Sequence, residues 1–453
     1  VIVAALYQEM SGIAFLIPAG ILLLLFFLAG VKKPEQSHIY GKEGMVIVAL
    51  AWILWSLFGA MPFTISGFIP NYMDAFFETV SGFTTTGSSI LRDVEALPQC
   101  LLFWRSLTHW IGGMVVLVLT SLDKKNSMYL MRAEVPGPEK DKLVPKAMST
   151  ARILYGMYLI MTVVEIIFLM LGGVNLFDSM IFSFGSAGTG GFSNYADSVA
   201  HFHSAYIDGV ITTFCALFGV NFSLFYFMLL GDFKSVRKNE ELRTYIMLIV
   251  GATALITLNI HSMFPSMIKA FRYAIFQVVT VITTTGYATT DFAKWPMFSK
   301  SILMMLTVVG ACASSTGGGI KVSRLLVGIK CIKREIVQLA HPKSVGIIRI
   351  GGKKVGSDIL RTIYIYFIAY VGILIVSVML VSLDNFDFET TFSAVLTTLG
   401  NVGPGMAKVG PMGNFADFSI LSKLVLCFDM LAGRLEIFPF LVLFTAPAWR
   451  RKF

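Results

Sequence analysis

The sequence predicts an all-α polytopic membrane protein in which one unit is used four times, and three observations carry that prediction. The 453-residue chain is 56% apolar and only 14% charged, with a mean hydropathy of +0.75, far above a soluble domain. Apolar runs long enough to cross a bilayer recur along it, and at that depth helices keep their own backbone groups paired. Four short segments also end in glycine-containing stretches of small and hydroxyl residues: Thr84-Thr85-Thr86-Gly87, Gly188-Thr189-Gly190-Gly191-Phe192, Thr283-Thr284-Thr285-Gly286-Tyr287 and Thr398-Leu399-Gly400-Asn401-Val402-Gly403-Pro404. With Gly87, Gly191, Gly286 and Gly403 as equivalents, the separations are 104, 95 and 117 residues.

The elements follow in order. Residues 1–30 read as a leading N-terminal transmembrane helix. The first unit, 44–121, has spans near 44–69 and 99–121 with Asp74 to Gly87 between them. The second, 152–230, has spans 152–173 and 205–230 around Asp178 to Gly191. The third covers 244–339 with its inner segment at 273–287. The fourth, 358–447, has spans 358–383 and 418–447 around 388–405. Each inner segment is shorter than the roughly 20 residues a spanning helix needs. Each is also too apolar for a free loop, with Phe76, Phe77, Phe182, Phe184, Phe276 and Phe392. A half-length helix that enters the membrane and returns satisfies both constraints. Amphipathic connectors lying on the surface are the alternative; two or three could arise that way, and four with comparable glycine endings favour the re-entrant reading.

The net charge of +9 reports topology. Of the 36 Lys and Arg, 27 fall in 32–42, 124–152, 234–243, 321–361 and the last residues, Arg450, Arg451 and Lys452. The intervening loop 384–389 carries acids only, Asp384, Asp387 and Glu389. This is the positive-inside pattern, so the basic loops and the C-terminus are expected to be cytoplasmic and the glycine stretches to approach from outside. A nucleic-acid role is not indicated. Five scattered cysteines without a CxxC pair point to neither a disulfide framework nor a zinc site. The isolated His201 and His203 make a poor metal site. The chain opens at Val1 directly into a span, so native residues are expected to precede it, and nothing resembles a cleaved signal peptide.

Threonine–glycine loops at membrane depth offer backbone carbonyls to a dehydrated cation. Glycine permits positive φ, so successive carbonyls can point inward, and threonine adds a hydroxyl oxygen. Four such loops around an axis would form a ring. The short helices would aim their partially negative C-terminal ends at the cavity below, which favours cations. The third unit departs from this plan. Its second span is interrupted at Gly310-Ala311-Cys312-Ala313-Ser314-Ser315-Thr316-Gly317-Gly318-Gly319, and three consecutive glycines, each costing about 1 kcal/mol in a helix, should break it. The break reads as a movable barrier or ion site, or as a close-packing glycine patch between helices. A phosphate-binding loop would require a Gly-Lys-Ser/Thr ending, which is absent.

Arg434 lies mid-span in Leu431-Ala432-Gly433-Arg434-Leu435-Glu436. An arginine at bilayer centre costs at least about 2.5 kcal/mol and must face the interior. Two readings fit: a barrier to cations below the ring, or an ion pair with Glu436 or another acid that staples helices. Arg105 and His109, at the outer end of the span 99–121, are expected to anchor the interface. Glu165 is the best-placed acid within a span for coupling transport to protons. No nucleophile–base pair, metal-ligand cluster or dinucleotide fingerprint gives an enzyme anything to work with.

The residues resemble the TrkH family, the membrane subunits of bacterial Trk potassium uptake systems in the Trk/Ktr/HKT superfamily. The resemblance covers essentially the whole chain. It rests on Asp74-Ala75-Phe76-Phe77-Glu78, the TTTG at 84–87, Trp104-Arg105-Ser106 with Trp110-Ile111-Gly112-Gly113-Met114, Gly190-Gly191-Phe192, Ser315-Thr316-Gly317-Gly318-Gly319-Ile320-Lys321-Val322, Gly403-Pro404-Gly405 and Gly433-Arg434-Leu435-Glu436-Ile437-Phe438.

The resemblance implies four M1–P–M2 repeats in pseudo-fourfold arrangement around one central pore. It implies K+ as the transported ion, a homodimer in the bacterial plasma membrane, and a cytosolic TrkA-type ring with nucleotide-binding RCK domains, expected to dock on 124–152 and 321–361. The selectivity filter maps to Thr85, Thr86 and Gly87, Thr189, Gly190 and Gly191, Thr284, Thr285 and Gly286, and Asn401, Val402 and Gly403, with K+ held at Thr86, Gly190, Thr285 and Val402. Sodium-preferring plant relatives carry serine at the first filter position, where Gly87 matches the potassium-permeable form. The gate maps to Gly310, Ser314, Ser315, Thr316, Gly317, Gly318, Gly319 and Arg434. The family has two N-terminal helices before the first repeat, and one is visible here. A proton- or sodium-coupled secondary cation transporter, a symporter, is the alternative, since half-helices at the midplane also build such sites. A non-conducting scaffold or receptor would leave the glycines replaceable.

Overall fold

A computed structural model describes residues 1–30, 41–122, 147–344, 346–351 and 353–449. Most of the basic stretch 124–152, Lys32 and Lys33, and Arg450, Arg451 and Lys452 lie outside the described residues. Among the described residues the regular structure is helical, apart from a two-residue antiparallel pairing of Arg349–Ile350 with Lys353–Lys354.

Among the described residues, five helical stretches are long and apolar enough to cross a membrane: Met10–Leu28, Glu43–Ile65, Arg152–Leu171, Glu240–Met263 and Ser357–Asp384. Large apolar side chains stand exposed along them, among them Phe26, Ile160, Leu258 and Ile368, as lipid-facing surfaces require. The chain is therefore a multi-pass membrane protein. Before Met10 a short helix, Ile2–Leu6, turns aside, and the Glu9 carboxylate accepts from the Gln99 and Cys100 amides at 2.7 and 2.9 Å. It thereby caps the helix Gln99–Leu122. All five cysteines are buried thiols.

Four short helices lie between the long ones: Tyr72–Phe83, Leu176–Gly188, Met267–Ile282 and Phe388–Leu399. At 12 to 16 residues and about 1.5 Å per residue, none spans a hydrocarbon core of about 30 Å. Each starts at a capping side chain. Asn71, Asn175, Ser266 and Asp387 accept backbone N–H groups of the first turn, satisfying donors left free at a helix start. Each is almost wholly buried over its second half. Phe77, Phe182 and Phe276 are buried among the surrounding helices, whereas Phe392 is half-buried.

The helices that follow the short ones are all broken, and only the third break was visible as a sequence signal. Gln99–Leu122 kinks at Met114 (φ −133°, ψ 21°). Ala205–Phe218 and Phe222–Leu229 meet at 92°. Met297–Val309 and Val322–Ala340 are separated by the glycine-rich loop. Ile420–Arg434 ends before Phe438–Val442, across Glu436 and Ile437 at φ 53° and 66°. The spans expected over 205–230 and 418–447 are thus each two helices. The breaks have local causes. A Cβ on Gly112 would lie 1.9 Å from the Phe83 carbonyl oxygen, and one on Gly219 2.7 Å from Thr283 Cγ2. The second spans pass so close to the ends of short helices that glycine backbone must face them.

Candidate functional site

The four loops that leave the short helices repeat one backbone conformation. In each, φ is positive two residues before the final glycine and again at the glycine: Thr85 and Gly87 (53° and 82°), Thr189 and Gly191 (56° and 76°), Thr284 and Gly286 (61° and 78°), Asn401 and Gly403 (55° and 95°). Left-handed backbone at a threonine is uncommon, and its recurrence at matching positions shows one geometry shared by the two TTTG loops and by the second and fourth loops, which lack that pattern. Alternation of this kind turns successive carbonyls to one side.

The loops close into a ring. A Cβ built on Gly87 would lie 2.0 Å from the carbonyl oxygen of Gly190, on Gly191 1.9 Å from that of Thr285, on Gly286 2.2 Å from that of Val402, and on Gly403 2.5 Å from that of Thr86. Each glycine therefore abuts the carbonyl preceding the next glycine, and the fourth contact returns to the first loop. Residues following the glycines lock the ring in the opposite sense. Ser88 Oγ donates to the Gly403 carbonyl at 3.2 Å. Phe192 stacks on His109 at 4.2 Å, and Tyr287 Oη donates to the Phe182 carbonyl at 2.9 Å. Pro404 Cδ lies 2.6 Å from a Cβ placed on Gly286. A cavity of about 150 Å³ opens onto the ring, with Gly87, Gly191, Gly286 and Gly403 all in its wall.

The loops are not equivalent. In the first and third, paired threonine hydroxyls lie at 2.8 Å, Thr84 with Thr86 and Thr283 with Thr285. In the second, the His109 ring stands where a Gly190 side chain would be, 2.4 Å from that Cβ. In the fourth, Asn401 Nδ2 donates to Thr86 Oγ1 at 3.0 Å and to the Met430 carbonyl at 2.8 Å.

The loop 310–319 lies against the same ring. Its neck is closed by Ile320 and Lys321 amides donating to the Val308 and Val309 carbonyls at 3.2 and 2.9 Å. Gly310 (φ 71°) and Gly319 (φ 74°) face each other there, each with its Cβ position less than 3 Å from the other's Cα. The loop's contacts reach three of the four ring loops. The Gly318 amide donates to Thr284 Oγ1 at 2.7 Å, and Thr189 Oγ1 donates to the Thr316 carbonyl at 2.9 Å. A Cβ on Gly318 would sit 2.7 Å from the Gly400 carbonyl oxygen. Towards the second-unit break, Thr316 Oγ1 donates to the Phe218 carbonyl at 3.2 Å and the Phe222 amide to the Ser314 carbonyl at 3.0 Å. Ser315 Oγ turns back on the Cys312 carbonyl at 2.6 Å.

Arg434 is buried and donates from Nη1 to the Thr316 carbonyl and from Nη2 to the Gly112 carbonyl, both at 2.7 Å. It thus spans from the break in the first unit to the loop of the third. Glu436 pairs instead with Arg324, whose guanidinium lies 4.2 Å from the Tyr366 ring centroid. Lys321 Nζ donates to the Gly317 carbonyl, and the Glu241 carboxylate accepts the Ala313 and Ser323 amides at 2.7 and 3.1 Å. The loop is therefore held by Arg434, which the sequence already placed with it, and by Lys321 and Glu241, to which sequence reasoning assigned no role.

Arg105 and His109 correct an expectation. Neither anchors an interface: Arg105 is 3% exposed and His109 fully buried, because this stretch of the helix packs inward behind the first two loops. His109 Nδ1 lies 2.7 Å from the Gly82 carbonyl oxygen. Glu78, in the first short helix, was quoted only as part of a motif, yet it accepts from Arg105, Ser89 and Ile90. The available signal was a second acid, one turn beyond Asp74, in the apolar part of a half-helix, since a buried charge requires a partner.

A multi-pass helical membrane protein with four glycine loops closed into one buried ring is of the class of membrane transport proteins. The chain matches the family model TrkH, described as a cation transport protein, over residues 16–450, and it belongs to that family. It is 36% identical over 460 residues to the Trk system potassium uptake protein TrkH of Salmonella typhimurium, covering 99% of this chain and 95% of the relative. It is 31% identical over 462 residues to the Trk system potassium uptake protein TrkG of Escherichia coli, covering 99% and 94%. The crystal structure of the potassium transporter TrkH from Vibrio parahaemolyticus superposes with a TM-score of 0.90 at 32% identity, covering 99% of this chain and 95% of that one.

Proposed function

We propose that this chain is the potassium-conducting membrane subunit of a Trk-type uptake system. In this reading it comprises four M1–P–M2 units around one pore, preceded by an N-terminal transmembrane helix. The observation that carries the proposal is the closed ring in which each of Gly87, Gly191, Gly286 and Gly403 abuts a neighbouring loop's carbonyl. The carbonyls of Thr86, Gly190, Thr285 and Val402 replace the water a potassium ion sheds, as oxygen rings in selective channels do. Thr85, Thr189, Thr284 and Asn401 hold the left-handed turns that aim them.

Beneath the ring, the loop from Gly310 to Gly319 occludes the path. Arg434 fixes it through Thr316 and adds a positive charge that a cation must pass. Opening requires this loop to leave its contacts with Thr189 and Thr284. The homodimeric arrangement, the plasma-membrane location with a cytoplasmic C-terminus, and control by a cytosolic nucleotide-binding TrkA-type ring belong to the same proposal. They are supported by family membership and by the distribution of basic loops.

One observation favours a coupled variant of this function: Glu165 is fully buried in the span Arg152–Leu171, where a carboxyl group is costly and its presence therefore points to a role in transport. The test is ion flux through the purified protein in liposomes. Potassium entering in strong preference to sodium, down its own gradient and without a proton gradient, is the expected result. Equal passage of sodium refutes the filter, and uptake that requires a proton gradient selects the coupled variant.

A further inference from the structure

The Arg105 guanidinium touches two adjacent ring loops at the same relative position. Its Nη2 donates to Ser89 Oγ at 3.3 Å, two residues beyond Gly87. Its Nη1 donates to the Ser193 carbonyl at 3.1 Å, two residues beyond Gly191. Its face lies 4.0 Å from the centroid of Phe192, the residue immediately after the second glycine. The remaining donors go to one carboxylate: Nε and Nη2 reach Glu78 Oε1 at 2.8 and 2.7 Å.

Glu78 belongs to the first short helix and also grips the first loop. Ser89 Oγ donates to both its oxygens at 2.9 and 3.1 Å, and the Ile90 amide to Oε2 at 2.9 Å. Every nitrogen of the guanidinium and both carboxylate oxygens are thus used. This ion pair lies within the first unit, and only the guanidinium's contacts with Ser193 and Phe192 reach the second. The pairs in the described residues that themselves join units, such as Arg272 with Asp208, Lys300 with Glu389, Arg324 with Glu436 and Lys423 with Asp74, have more exposed lysine or arginine side chains. Arg105 and Glu78 are nearly fully enclosed beside the ring. A planar fork with fixed donor directions transmits distance where an ammonium would not.

We propose that Arg105, held in place by Glu78, is a positioning residue that sets the spacing between the first and second loops of the carbonyl ring, and with it the preference for potassium over sodium. It does not contact the ion. It acts by fixing the segments just beyond Gly87 and Gly191, so that the Thr86 and Gly190 carbonyls keep their separation. The inference rests on the reading of the ring as the ion-selecting element.

The test compares Arg105→Lys, Glu78→Gln and the exposed-site control Lys294→Gln with the unsubstituted protein, each reconstituted in liposomes and read as a potassium-to-sodium permeability ratio. The expected result is a ratio lowered at least fivefold in both Arg105→Lys and Glu78→Gln while potassium flux persists, with Lys294→Gln unchanged. Ser89→Ala, which removes one bridging hydroxyl, should give a smaller fall in the same direction. Unchanged ratios in folded, conducting variants overturn the proposal. So does failure of both Arg105→Lys and Glu78→Gln to yield monodisperse protein, which would assign the pair to folding alone. An unsubstituted protein that passes potassium and sodium equally refutes the filter itself, a result distinct from unchanged ratios against a selective parent.

Discussion

Gly191→Ala isolates what the ring geometry contributes. The new Cβ would start 1.9 Å from the Thr285 carbonyl oxygen and 3.0 Å from its carbon, whereas ordinary contact begins at 3.4 Å. The shortfall at the oxygen is about 1.5 Å, and the obstacle is backbone in a buried loop rather than a side chain that can swing aside. The residue must also hold φ near 76°, which costs an L-residue about 1–2 kcal/mol. The Thr285 carbonyl therefore has to move away from its place in the ring. A change of about 1.4 kcal/mol in how the ring distinguishes two ions is tenfold in their ratio, so strain of this size lowers potassium preference by about an order of magnitude. The assay is the permeability ratio in liposomes, with a size-exclusion profile as the check on folding. Undiminished potassium flux at an unchanged ratio would refute the claim that these carbonyls select the ion.

Other perturbations separate the ring from the barrier beneath it. Gly318→Ala places a Cβ 2.7 Å from the Gly400 carbonyl oxygen, so the loop cannot seat; flux should rise severalfold in the absence of any cytosolic partner, with the permeability ratio unchanged. Arg434→Ala removes both the tether to Thr316 and the buried positive charge, and single-channel or flux recordings without partner should likewise show increased leak. Asn175→Ala removes the side chain that caps the second short helix, and thermal unfolding in detergent should report a loss of about 1 kcal/mol with selectivity retained.

Much of this architecture was legible because two periodic signals are strong in lipid. Apolar runs marked the spans, and Gly87, Gly191, Gly286 and Gly403 marked where backbone approaches backbone. The second and fourth loops could be aligned despite lacking the TTTG pattern, since the glycine is the part the geometry demands. The breaks at 219–221 and 435–437 were not legible. The first has one glycine beside an ordinary Val220-Asn221, and the second places Glu436 and Ile437 at positive φ, which no residue preference announces. Both are imposed by what packs against them, the loop 310–319 in the first case and the Arg324–Glu436 pair close by in the second.

Arg105 was misread for a related reason. Its position near a span's outer end suggests an interface anchor, and only the inward packing of that helix, with Glu78 27 residues earlier, reveals a buried pair. Arg434 was left between two readings by the sequence. Those readings were a barrier to cations and a stapling ion pair with Glu436 or another acid; the structure pairs Glu436 with Arg324 and places Arg434 against the Thr316 and Gly112 carbonyls.

The central claim is that a potassium ion sits on the axis among the carbonyls of Thr86, Gly190, Thr285 and Val402. Anomalous diffraction from crystals grown with rubidium in place of potassium tests it most directly. The expected result is a peak equidistant from those four oxygens that weakens when sodium replaces rubidium. Rubidium bound elsewhere, with no peak at the ring under saturating salt, would contradict it.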